Sequence, residues 1–113
     1  MGDQMALEPL DGWSQSEQDV AREAFDKAYQ RTIRRLIGDL KAKVNALDSS
    51  DEVWALHDFL SIERHTIEGR FSFKTEGILF VFASLVKDDL LQMDELQGLE
   101  ADKLAKVSAM SRF

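Results

Sequence analysis

The stretch Tyr29-Gln-Arg-Thr-Ile33-Arg-Arg-Leu36-Ile37-Gly38-Asp-Leu40-Lys-Ala-Lys-Val44-Asn-Ala-Leu47 decides the fold. Its apolar residues return every three or four positions, the spacing that lines one face of an α-helix. Upstream, Ser14 stands three residues before Glu17, a capping-box pattern in which each side chain satisfies an otherwise unpaired amide at the helix start. Together the two signals predict one helix from about Ser16 to about Leu47. Gly38 inside it costs about 1 kcal/mol relative to Ala and is expected to mark a close helix crossing.

Such a helix spans roughly 45 Å at 1.5 Å per residue, whereas a compact domain of this size has a radius of gyration of about 13 Å. It must overhang its own domain. An overhanging stripe of Ile, Leu and Val left in water is adhesive, and a second copy of the chain is the economical cover. The expected fold is all-α: the long N-terminal helix and a second helix form an elongated dimer, and the C-terminal helices make a small head.

Toward the N-terminus, Met1 to Gly12 shows no periodicity and holds the only proline, Pro9. Residues 1–13 therefore read as a flexible leader and 14–113 as a single helical domain. Toward the C-terminus, Asp48 to Glu52 breaks the first helix, and Ser49 precedes Glu52 at capping spacing. A second helix should start there and end near Gly69, a residue suited to the left-handed position after a helix. Thr75 to Lys87 is apolar on nearly every side and fits a buried helix. A strand competes for Ile78 to Ala83, but the apolar run is too long for one. Leu90 to Gly98 reads as a loop with a short helical turn, and Glu100 to Arg112 as a final amphipathic helix.

The second helix carries unlike groups along one flank. With Val53 at zero and about 100° per residue, Leu56, Leu60 and Ile67 cluster as a core face. Beside them, over roughly 20° to 140° by the same rotation, lie Arg64, His57, Ser61, Trp54, His65 and Asp58. Trp54 is set so far from the core centre that a second chain buries it more easily than its own, as with aromatic interface anchors. Asp58 can pair with His57 or Arg64 of a partner chain. On the third helix, Phe80 and Phe82 project about 200° apart, so one of them is exposed or at an interface. On the last, Lys103, Lys106 and Met110 share a stripe opposite Leu104 and Val107, and its lysines read as a solvated face.

Charge and missing motifs narrow the function. Lys and Arg number 14 against 21 Asp and Glu, a net charge of −7, so the basic footprint of a nucleic-acid binder is absent. Without cysteine there is no disulfide or thiolate site. The longest apolar run, Ile78 to Ala83, is far short of the ~20 residues a membrane span requires, so a cytoplasmic protein is expected. His57 and His65 are too far apart for a helix-borne metal pair. His57 and Asp58 diverge on a helix, which argues against a catalytic dyad. No phosphate loop or nucleophile motif is present, so no enzyme is expected.

Trp13-Ser14, Ala28-Tyr29-Gln30-Arg31, the run WALHDFLSIERHTIEG from Trp54 to Gly69, Phe80-Val81-Phe82-Ala83 with Leu85, and Ala101 through Ala109 form a collinear series. In these residues the chain resembles the fluorescence recovery proteins of cyanobacteria. The resemblance implies an all-helical homodimer without pigment or other cofactor that binds the light-activated orange carotenoid protein, mainly through that protein's C-terminal domain. It further implies faster return of that partner to its orange state and its release from the phycobilisome, restoring antenna fluorescence, in the cytoplasm or at the cytoplasmic face of the thylakoid. The family's functional motif is matched by Trp54, His57, Asp58 and Arg64. A partner-contact set on the head is matched by Phe80, Lys106 and Met110. A second reading keeps the dimeric helical scaffold and gives it an unrelated protein partner.

Overall fold

The computed structural model describes residues 9–113, whose regular structure is helical. The order is α1 (Gln15–Asn45), α2 (Ser50–Arg70), α3 (Ile78–Lys87), a 3₁₀ turn (Met93–Leu96) and α4 (Ala101–Met110). The start of α1 carries the full capping box: Ser14 Oγ accepts from Glu17 N–H at 3.1 Å, and Glu17 Oε1 accepts from Ser14 N–H at 3.2 Å. At α2 only half of that pattern forms. Ser49 Oγ accepts from Glu52 N–H, while the Glu52 carboxylate accepts instead from the Asp48 amide at 2.7 Å.

The chain measures 53 × 31 × 20 Å with a radius of gyration of 16.5 Å, well above the value of about 13 Å for a compact chain of this length. The overhang of α1 accounts for the difference. Its 31 residues rise about 46 Å, and only the first half is built into a core. There Ala21, Ala24, Phe25 and Ala28 are buried, together with Leu10, Phe73, Ile78, Phe82, Ala83, Leu85, Leu90, Leu91, Leu96, Leu99 and Val107. Alanines at i, i+3 and i+7 leave room for the 3₁₀ turn to approach the α1 backbone closely, with Phe25 filling the space beside them. Phe25 meets Phe71 and Phe73 edge to face at 5.4 and 5.1 Å.

Several expectations are corrected here. The stripe from Tyr29 to Leu47 is half-buried or exposed along its whole length; the buried stripe of α1 lies one step earlier. No residue of α2 is buried, so Leu56, Leu60 and Ile67 face inward without a core to enter. The reason is that the core is built on the other half of α1, and no core residue among the described ones comes from this stem. Nothing stands within 4 Å of a side chain built at Gly38, so no close crossing occurs there within the chain. Gly69 lies inside α2, which ends at Arg70 with Phe71 at φ −88° as its cap. The left-handed glycines are Gly12 and Gly98, and at Gly98 a Cβ would stand 2.8 Å from Val20 Cγ2. Of the leader expected at 1–13, residues 1–8 lie outside the described residues, while Leu10 is buried and Trp13 packs on the core.

Candidate functional site

The predicted site residues divide between the two ends of the molecule. Trp54, His57, Asp58 and Arg64 lie on α2 in the stem, and Phe80, Lys106 and Met110 on α3 and α4 in the head.

In the stem, all four motif residues face solvent. Trp54 keeps 65% of its surface exposed, a large apolar ring on a helix with no buried residue. His57 Nδ1 and Asp58 Oδ1 are 3.4 Å apart, so these sequence neighbours do meet, contrary to the divergence expected from the wheel, because their side chains bend toward each other at an uncrowded surface. The contact is long and fully wet, which gives neither group the dry, oriented surroundings of an acid–base pair. Arg64 Nε donates to Glu68 at 3.1 Å one turn on. Between α1 and α2 an open groove of about 220 Å³ is lined by Lys43, Ala46, Leu47, Ala55, Leu56 and Phe59, among others. The Lys43 ammonium stands 4.6 Å from the Phe59 ring centroid. This mostly apolar seam is open on the face that carries the half-buried leucines.

In the head, Phe80 is 71% exposed while Phe82, two residues on, is fully buried, the split that their opposite projection predicts. Lys106 is exposed, and Met110 is half-buried against the core. Lys103, expected on a solvated lysine face, is instead drawn inward. Its Nζ donates to both oxygens of the buried Glu17 at 3.0 Å and lies 4.7 Å from the Trp13 ring centroid. The Glu17 carboxylate also accepts the Glu100 amide at the start of α4, at 2.9 Å. That bond, more than any other, holds its pKa below the usual carboxylate range, with Lys103 adding to it and burial opposing it. Burial likewise opposes the charge on Lys103, but the bonds to Glu17 and Glu100 outweigh it and raise its pKa. One carboxylate thus closes the cap of α1 and pins the first turn of α4.

Two further links, both missed from the sequence, tie head to stem. Arg31 grips Glu95 with both terminal nitrogens at 2.7 and 2.6 Å and also donates to Leu90 O. Arg70, the last residue of α2, donates from Nη2 to Ser84 O, Ser84 Oγ and Asp88 Oδ2 at 2.9, 2.7 and 2.6 Å. A single arginine on a helix gives no local signal of a partner 64 residues away. Among the described residues no cluster of His, Asp and Glu could hold a metal ion, and no helix is long and apolar enough to cross a membrane.

The model of the photoprotection regulator fluorescence recovery protein family matches residues 13–111. This chain belongs to the fluorescence recovery protein family. It is 43% identical over 101 residues to the fluorescence recovery protein of Synechocystis sp., spanning 89% of this chain and 93% of that one. The fluorescence recovery protein of Fremyella diplosiphon superimposes with a TM-score of 0.86 at 43% identity, covering 90% of this chain and 100% of the other. The Synechocystis fluorescence recovery protein structure gives 0.85 at 42% identity, covering 89% and 99%. The all-helical fold expected from the sequence is that of these family structures, and the family's role is regulation of photoprotection.

Proposed function

We propose that this chain is a non-enzymatic dimeric regulator of an orange carotenoid protein. It binds the photoactivated form through that protein's C-terminal domain, speeds its return to the inactive orange state and promotes its detachment from the phycobilisome, so that antenna fluorescence recovers. It works in the cytoplasm, including the cytoplasmic face of the thylakoid. The observation that carries the head assignment is Phe80, exposed at 71% on an otherwise apolar helix. A free aromatic ring of this kind is the usual anchor of a protein contact, and Lys106 and Met110 lie on α4, which packs against α3.

The stem supports the dimer. A groove with apolar walls, a helix without a buried residue and an exposed Trp54 are what a second copy would cover, and Asp58, His57 and Arg64 supply its polar contacts. Acceleration without covalent chemistry requires tighter binding to the transition state for domain closure than to the active form. The head achieves this by holding the partner's separated domains together.

The test is kinetic. Red-to-orange recovery of the carotenoid protein is followed in the dark with and without this chain, and co-elution is scored alongside. Phe80→Asp is expected to keep the dimer mass and helix content and to lose most of the acceleration; full acceleration by that variant overturns the head assignment. Absence of both acceleration and co-elution for the unmodified chain selects the second reading, a dimeric scaffold for an unrelated protein.

A further inference from the structure

Among the described residues, the side-chain hydrogen bonds from α2 to α3 and its cap all come from Arg70. Because α2 buries nothing of its own, packing does little to fix how its end sits on the head; Phe71, edge-on to Phe25 and Tyr29 at 5.4 and 5.2 Å, and Arg70 hold that junction. Arg70 reaches 14 residues forward to Ser84 and 18 to Asp88. Ser84 O lies in the last turn of α3 and already accepts the Asp88 amide at 3.1 Å; Arg70 adds a second bond to it, and a cation there is favoured by the helix dipole. The last residue of the stem helix therefore caps the end of the head helix. The grip is also rotational. Phe80, Ser84 and Asp88 are spaced i, i+4 and i+8, so they lie on one stripe of α3, with the free Phe80 ring one turn from the atoms that Arg70 holds.

We propose that Arg70 is a positioning residue: by fixing the rotation of α3 against the stem, it sets where Phe80 points relative to the Trp54 seam. All three bonds leave one nitrogen, Nη2, which is held at once by the Ser84 carbonyl and hydroxyl and by the Asp88 carboxylate, so a single point at the end of α2 is fixed to two positions one turn apart on α3. This inference rests on the head reading given above, and its test separates the two.

The chain contains no cysteine, so Ile62→Cys in the stem and Ala109→Cys in the head can be spin-labelled without background and diluted with unlabelled chain. Arg70→Gln and Arg70→Met are expected to broaden the label distance distribution while leaving mass and helix content unchanged; an unaltered distribution overturns the proposal whether or not a carotenoid protein binds. With the carotenoid protein as the probe, Arg70→Gln is expected to weaken binding about tenfold in the parent and less than twofold in a Phe80→Ala background, the signature of two residues acting on one contact. Equal losses in both backgrounds would show that Arg70 does not act through Phe80. No binding by the parent chain refutes the head reading alone, and the label distances still decide the role of Arg70.

Discussion

At the scale of single residues, the head is held by charges paired across long stretches of chain. Glu95 and Arg31 make a two-pronged contact, and the Arg31 hydrogen bonds bring the Glu95 pKa from 4.5 to about 2 against the opposing effect of burial. A carboxylate whose folded pKa is depressed stabilises the fold fully above its unfolded value and loses that contribution as the pH falls through its folded one. Glu95→Gln is therefore expected to lower stability near neutral pH by about 1–3 kcal/mol. The difference from the parent should shrink progressively as the pH falls from about 5 toward about 2. Urea midpoints of both proteins at neutral pH and near pH 3 check this, and a constant difference would contradict it.

At the scale of elements, two phenylalanines two positions apart serve opposite ends. Phe82 is fully buried, so Phe82→Ala should cost about 3–5 kcal/mol in a denaturation experiment. Phe80→Ala, at an exposed position, should stay within about 0.5 kcal/mol. Helix existence and order were legible in the sequence because their signals are local: the Ser14–Glu17 box, the Ser49 cap, the length of the apolar run in α3. The split between Phe80 and Phe82 followed from helical geometry alone. What escaped was decided by elements returning from far along the chain. The buried face of α1 is the alanine side at 21, 24 and 28 because the 3₁₀ turn, far along the chain, packs against that helix, and a row of alanines is a weaker signal than the Ile and Leu row that stays half-exposed. Lys103 looked like a surface lysine because its partner, Glu17, is 86 residues away. Gly69 looked like a terminator, but the helix is closed one residue later by the Arg70 and Phe71 anchors. For the candidate site, helical position was enough to set Trp54 and one of Phe80 and Phe82 apart as uncovered by the chain's own core, and both Trp54 and Phe80 are exposed, while the arginine links between head and stem left no pattern to read.

At the scale of the whole molecule, a packed head sits on one end of a two-helix stem whose apolar seam is open. The proposed dimer closes that seam. Trp54→Ala removes the largest exposed ring on it and is expected to weaken association, so light scattering at micromolar dilution should report a mass shifting toward the monomer while the parent stays dimeric. An unchanged mass would contradict the assignment. The same variant should leave the head intact, because no core residue touches Trp54 within the chain.

The absence of any buried residue in α2 has a consequence for how the protein comes into being. Helices in proteins draw most of their stability from packing of an apolar face, and local opening is easiest where few apolar groups are sheltered. In the dimer proposed above, the head is a finished object before a second chain arrives and the stem an unfinished one. For such a stem, assembly would be the closing step of folding. The level of synthesis would then govern how much of the pool carries an ordered Trp54 flank, and a cell would tune the regulator by dose without touching its sequence.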